Sequence, residues 1–211
     1  MQPLHSVRND YQGDSQVWKT LSDTPHKAIN EWLSEALKIE KEPTAFSLAT
    51  ATVSGQPSQR TMLAKDITPE GLIFFSNYLS QKGQDLLQNP QASALFFWPN
   101  LARQIRIYGQ VEKISETDSA AYFITRPKDS QIAALTSEQS QPGDPAALLN
   151  KYADLKEYYQ THAIQKPAHW GGYRLNFDRI EFWLGKPNRL HERLVFEKSS
   201  SGNYKTFWLQ P

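Results

Sequence analysis

Three short stretches of the sequence mix cations with hydroxyl, amide or aromatic side chains, the combination that binds anions. The first is Arg60-Thr61-Met62-Leu63-Ala64-Lys65, with two cations on one predicted strand. Strict strand alternation sends them to opposite faces, because their separation is odd. One ligand touched by both requires a bulge, a strand end, or a ligand lying across an edge. From spacing alone, two solvated strand charges are the simpler reading.

The second group is Tyr122, Arg126 and Ser130. Tyr122 and Arg126 share a helix face at i, i+4. Ser130 follows Pro127, at the predicted start of the next helix, where a hydroxyl and nearby backbone N–H groups suit a phosphate. An N-cap serine and a surface arginine at a helix C-terminus explain the same pattern, and spacing leaves both readings open. The third group is Trp183 with Arg189-Leu190-His191-Glu192-Arg193. Gly185, Pro187 and Asn188 make a turn that presents Arg189 and His191 at a loop–strand junction. Residues two apart in a strand face one way, so Arg189, His191 and Arg193 form a row able to address one anion. A lone histidine is more often structural, but two flanking arginines favour an anion pocket.

Other chemistries are excluded or unsupported. There is no cysteine, so disulfides, thiolate nucleophiles and cysteine-based zinc sites are ruled out. No phosphate-binding glycine loop, dinucleotide fingerprint or His-Glu-x-x-His motif occurs. The five histidines are scattered, so no metal site is expected. The formal charge of +1 gives no overall field for nucleic acid or an anionic membrane. Met1 to Lys19 is polar and lacks an apolar stretch, so no secretory leader is expected. The longest apolar run, Ala94 to Trp98, is too short to span a bilayer. A soluble cytoplasmic protein is the expectation.

The elements that must position these groups follow from pattern. Residues 1–22 read as a mobile arm, and 23–211 as a single domain. Ala28, Ile29, Trp32, Leu33, Ala36 and Leu37 recur at helical spacing after Thr24-Pro25. Strands are predicted over Ala45–Val53, Ser58–Ile67, Leu72–Ser76, Ala92–Trp98 and Gln104–Ile114, with a short helix after Ser80. Ser115 with Asp118 resembles a capping box for the helix carrying Tyr122. Further helices are expected over Ser130–Ser137 and Ala146–Tyr159, and final strands over Gly172–Asn176, Arg179–Leu184, Arg193–Glu197 and Tyr204–Leu209. Antiparallel strands with segregated helices predict an α+β barrel. Six Trp and ten Phe add some support for a buried subunit interface.

Taken together, Arg60 to Lys65, Tyr122-Phe123-Ile124-Thr125-Arg126-Pro127-Lys128-Asp129-Ser130-Gln131, Gln139-Ser140, Ile180-Glu181-Phe182-Trp183 and Arg189-Leu190-His191 resemble the pyridoxine/pyridoxamine 5'-phosphate oxidase family. The resemblance runs from about Arg8 to Pro211, with the motifs in family order. It implies a homodimeric FMN-binding split β-barrel with two sites at the subunit interface. It implies that Arg60 and Lys82 meet the FMN phosphate and that Thr61, Met62, Leu63, Ala64, Lys65, Phe75, Ser76, Gln81, Gln104, Gln139, Ser140, Trp183 and Arg193 complete the cofactor site. Lys65, Tyr122, Arg126 and Ser130 match positions that grip the substrate phosphate. Arg189, Leu190 and His191 match positions over the pyridine ring, Arg189 and His191 as the catalytic pair. An arm including Arg8 and Tyr11 matches one that folds over the site.

The implied reaction removes a hydride from the carbon attached to the ring, with oxygen as the final acceptor and hydrogen peroxide as product. The amine substrate would also release ammonia. Gln81 departs from the family, which commonly has arginine there, so weaker FMN binding is expected. Phe75 and Ser76 replace the common tyrosine and threonine and keep a ring and a hydroxyl. The competing readings are a related split-barrel flavoprotein oxidising another ring, such as a phenazine precursor, a non-catalytic FMN- or pyridoxal-phosphate-binding protein, and a structural protein with no ligand.

Overall fold

The computed structural model describes residues 3–6 and 10–211. In chain order its elements are α1 (Val17–Thr20), α2 (Pro25–Ile39), β1 (Ala45–Ala51), β2 (Pro57–Leu63), β3 (Asp66–Ile67), β4 (Gly71–Asn77), α3 (Gln81–Gln88), β5 (Gln91–Trp98) and β6 (Arg103–Lys113). Then follow α4 (Glu116–Thr125), α5 (Lys128–Thr136), α6 (Pro145–Tyr158), β7 (Trp170–Asn176), β8 (Arg179–Leu184), β9 (Glu192–Lys198) and β10 (Tyr204–Leu209). Among the described residues every strand pairing is antiparallel.

One arm of the sheet runs β10-β9-β8-β6-β5-β1-β2, and a second runs β6-β7-β4-β3. The long strand β6 is common to both. Its Arg103–Tyr108 half pairs with β8, and Val111–Lys113 pairs with β7. Gly109 sits at the change of partner, where a Cβ would strike the carbonyl of Asn176. The arms enclose one core that includes Phe46, Leu48, Phe74, Phe96, Ile107 and Phe182. The period-two burial of β1 explains why Phe46 and Leu48 point inward. The apolar stripe of α2 closes this core, with Trp32 edge-on to Phe182 at 5.1 Å. Each such ring buried stabilises the fold by about 1.5–3 kcal/mol.

Three departures from the predicted elements bear on function. The expected return strand over Ser58–Ile67 breaks after Leu63. The Ala64 N–H donates to Thr44 O, but the Lys65 N–H donates to Ile73 O, so the chain passes from one arm to the other between them. Arg60 and Lys65 therefore lie on either side of a strand end. Helix α5 begins at Lys128 and not at Ser130, with Pro127 as N-cap. The Ser130 N–H donates to Pro127 O at 2.8 Å, so that amide is engaged inside the helix and is not free for a phosphate. Finally, β9 starts at Glu192, after a 3-10 turn over Pro187–Arg189 in which Asn188 and Arg189 have φ of 56° and 61°. Arg189, His191 and Arg193 are thus not one strand row. Among the described residues no helix is long and apolar enough to cross a membrane, and no cluster of His, Asp and Glu is placed to hold a metal.

Candidate active site

The first cationic centre is built on β2, β4 and α3. Ser80 caps α3, its Oγ accepting from the Gly83 N–H. This places Lys82 in the first turn, where it is buried. Its Nζ donates to Ser76 Oγ and Ser80 Oγ, each at 3.1 Å, and to Gln139 Oε1 at 3.4 Å. Among the described residues no carboxylate forms an ion pair with it. Burial, with the nearby Arg60 charge, brings its pKa down to about 8. Arg60 occupies an inward-facing position of β2. Its guanidinium donates to Thr50 Oγ1 (2.8 Å), Ser58 Oγ (2.7 Å) and Leu48 O (3.2 Å), and burial lowers its pKa as well. Two desolvated cations side by side are costly unless an anion joins them.

Gln81 is tied up elsewhere. Its side-chain amide donates to Asp85 Oδ1 at 2.8 Å, and its backbone N–H donates to Ser140 Oγ at 3.1 Å. Buried Asp85 also accepts from Thr50 Oγ1 at 2.8 Å and lies 3.9 Å from Arg60. An arginine at position 81 therefore has a carboxylate partner waiting on its own helix face.

The second centre lies where α4 meets β7. Tyr122 stacks on Phe75 at 3.9 Å, and both rings lie parallel to Trp170. Arg126, the C-cap of α4, places its guanidinium 4.5 Å from the Trp170 ring centre. Tyr122 and Arg126 thus share the face expected of them, and Trp170 is what they share. Arg126 Nη1 is buried and finds no hydrogen-bond partner among the described residues, and burial lowers its pKa. It faces a cavity of about 250 Å3 lined also by Met62, Phe75, Ser76, Gln139 and Trp170. On the other side of Phe75, Lys65 and Tyr122 line a larger cavity of about 590 Å3. The structure therefore divides the four residues matched to a substrate phosphate: Arg126 opens toward Ser76 and Gln139, and Lys65 with Tyr122 opens beyond Phe75. Ser130 is half-buried in α5 and lines neither. Thr61 and Leu63 point outward from β2, and Ala64 is buried.

The third centre is on the other arm. Gln104 pairs with Trp183, and Trp183 with Arg193, so the three stand side by side on one face of β6, β8 and β9. Arg193 donates twice to buried Glu181, at 2.8 and 3.0 Å, and to Gln210 O. His191 lies 4.7 Å from Trp183, and Tyr11 meets both rings edge-on. The Lys186 N–H donates to His191 Nδ1 at 3.1 Å. A backbone amide can only donate, so the proton of the neutral imidazole sits on Nε2. Burial and then Arg189 lower the His191 pKa, which favours that neutral form. Arg189 and Leu190 are exposed. Arg8 lies outside the described residues.

Among the described residues no hydrogen bond or ring contact joins the third centre to the other two. β1, β5 and β6 separate β2 from β8, a path of about 19 Å at ordinary strand spacing. Trp170 and Asp85 escaped the sequence reading, and Glu181 stood in it only as part of a motif, with no role of its own. Trp170 begins a strand and resembles any core tryptophan there, and the two carboxylates become meaningful only once their cations are seen.

Two family models match the chain. Residues 29–157 match "Pyridoxamine 5'-phosphate oxidase", and residues 170–211 match "Pyridoxine 5'-phosphate oxidase C-terminal dimerisation region". A pyridoxine/pyridoxamine 5'-phosphate oxidase of Alteromonas mediterranea is 40% identical over 99% of both chains. Another, of Acinetobacter baumannii, is 45% identical over 92% of this chain and 91% of its own length. Among solved structures, PhzG from Burkholderia lata 383, in complex with tetrahydrophenazine-1-carboxylic acid, superposes with a TM-score of 0.89 at 30% identity, covering 96% of this chain and all of that one. An FMN-binding protein of Nostoc punctiforme, at 17% identity and a TM-score of 0.71, shares the fold. With its two-armed barrel and both family segments matched in order, the chain belongs to the pyridoxamine 5'-phosphate oxidase family.

Proposed function

We propose that this protein is an FMN-dependent oxidase that converts pyridoxine or pyridoxamine 5'-phosphate to pyridoxal 5'-phosphate, using oxygen and releasing hydrogen peroxide. The observation that carries this reading is the pair of desolvated cationic centres, half-buried Arg60 with buried Lys82 and half-buried Arg126, whose three charges have only Asp85, 3.9 Å from Arg60, as a carboxylate neighbour among the described residues. One suits the phosphate of FMN and the other that of the substrate. The residues fit FMN: Lys82, Ser76, Gln139 and Arg60 offer charged and neutral donors to a phosphate, and Gln104 and Trp183 offer an amide and a ring to a flavin. Bound FMN would supply the hydride acceptor and hand the electrons on to oxygen.

The chain's own residues supply orientation and charge. Arg126 fixes the substrate phosphate, and Arg189 with the Nε2–H of His191 orients the pyridine ring. The aromatic wall of Phe75, Tyr122 and Trp170 keeps water from the phosphate end. With the amine substrate, water completes hydrolysis of the imine to aldehyde and ammonia. The separation of the centres and the match to a dimerisation region support a homodimer in which each site takes residues from both chains. Vitamin B6 metabolism in the cytoplasm is the setting this reading implies.

The likeness to PhzG favours one second reading, an oxidase of a tricyclic phenazine precursor. Peroxide release separates the two. Pyridoxine 5'-phosphate should give one peroxide per aldehyde, and unphosphorylated pyridoxine and tetrahydrophenazine-1-carboxylic acid far less. The opposite ranking selects the second reading, and no peroxide from any of them selects a binding protein.

A pH dependence follows from Lys82. Its charge attracts the cofactor phosphate, and in the free protein that charge is lost as pH rises through about 8. The second ionisation of the phosphate, near pH 6, is largely complete by about pH 7. FMN affinity should therefore be level between about pH 7 and 7.5 and weaken above 8 (about tenfold per unit at most). Fluorescence quenching across this range is the check, and affinity that rises with pH contradicts the assignment of Lys82.

A further inference from the structure

Residues 10–14 run without regular structure along the end of the barrel beside β8 and β9, and a turn at Ser15 and Gln16 leads into α1. Tyr11, Gly13 and Ser15 are half-buried, and Asp10, Gln12, Asp14 and Gln16 are exposed. The Gly13 N–H donates to Gly185 O at 2.9 Å. The Lys186 ammonium donates to Gly13 O at 2.9 Å and to Ser15 Oγ at 2.8 Å. Ser15 Oγ donates in turn to Glu192 Oε1 at 2.8 Å, and the Trp18 indole N–H donates to the other carboxylate oxygen. Trp18 then packs on Trp32 and Trp208. Tyr11 lies directly over Gly185, where any side chain would collide with its ring. The turn that holds the segment also holds His191, since the Lys186 backbone sets His191 Nδ1 while its side chain grips the arm.

We infer that Glu192, with Lys186, is a positioning residue that latches the N-terminal segment in place and so seats Tyr11 against His191 and Trp183. Neither side chain belongs to the residues assigned to cofactor or substrate. Charge favours this latch: a carboxylate receives two donors, and an ammonium receives two acceptors. Contacts of this kind hold a segment that has little core of its own and opens locally without global unfolding. When the latch is broken, substrate binding must first order the arm, which weakens apparent affinity without altering the reacting geometry once bound.

This inference rests on the proposed reaction only for its kinetic half, so the test has two readouts. Glu192→Ala is compared with the unsubstituted, FMN-loaded protein. Trypsin cleavage after exposed Lys19 should be at least about tenfold faster. KM for pyridoxine 5'-phosphate should rise by a similar factor, with kcat within about twofold and the FMN dissociation constant unchanged. Glu192→Gln keeps one acceptor oxygen and should fall between the two proteins in both readouts. An unaltered FMN dissociation constant shows that the variant is folded. Unchanged cleavage, or faster cleavage with an unchanged KM, overturns the inference. If pyridoxine 5'-phosphate is not turned over at all, the reaction assignment fails, and the cleavage rates alone decide the latch.

Discussion

Arg60→Ala should yield a folded but colourless protein. Arg60 is held from three sides by Thr50, Ser58 and Leu48, so its guanidinium is fixed before any ligand arrives. Removing it deletes a prepaid cation and leaves Thr50, Asp85 and Lys82 behind. Asp85 is then a buried carboxylate without its neighbouring charge, which repels a phosphate. A lost charged hydrogen bond costs about 1.5–3 kcal/mol, and the newly uncompensated carboxylate adds to that. FMN affinity should fall by at least about a hundredfold, enough to strip the flavin during purification. The same variant tests the shared site. Co-expressed with Arg189→Ala, it should form mixed dimers with one intact site each and recover about a quarter of full activity. Flavin retained by Arg60→Ala, or no recovery in the mixture, would count against the placement and the dimer respectively.

Arg126→Ala should do the reverse, keeping the yellow flavoprotein and losing substrate. Arg126 Nη1 is buried and lacks a partner among the described residues, while Trp170 braces the guanidinium plane. A buried donor left unmatched is costly, and a substrate phosphate removes that cost. The apparent KM for pyridoxine 5'-phosphate should rise about 10- to 150-fold, the equivalent of about 1.5–3 kcal/mol. The contrast is demanding because Arg126 shares its cavity with Ser76 and Gln139, which also hold Lys82. If Arg126→Ala loses FMN while Arg60→Ala keeps it, the two phosphate sites are assigned the wrong way round. If both lose it, the cavity serves a single phosphate.

Much of this arrangement was legible in the residues. The stripe on α2, the strand read over Gln104–Ile114 and the Ser115 cap of α4 are local patterns, and each appears in the fold to within a residue or so of where the pattern put it. The break after Leu63 was not legible, because no glycine or proline marks it. Thr44 and Ile73, distant in sequence, decide where that backbone pairs. The start of α5 moved because Pro127 itself serves as N-cap. At the site, the i, i+4 relation of Tyr122 and Arg126 was readable, and the division between Arg126 and Lys65 was not, since it depends on where the Phe75 ring stands. The row proposed for Arg189, His191 and Arg193 failed on two left-handed residues that alternation rules do not anticipate. Glu181, which claims Arg193, has no signature of its own in the sequence.

The most direct test of the proposed reaction is the absorption spectrum of the FMN-loaded protein mixed anaerobically with one equivalent of pyridoxine 5'-phosphate. The account predicts that the flavin band near the blue end of the visible bleaches, that pyridoxal 5'-phosphate appears in matching amount, and that admitting oxygen restores the band with release of hydrogen peroxide. A spectrum left unchanged by both pyridoxine and pyridoxamine 5'-phosphate, in a protein that binds FMN fully, would contradict it.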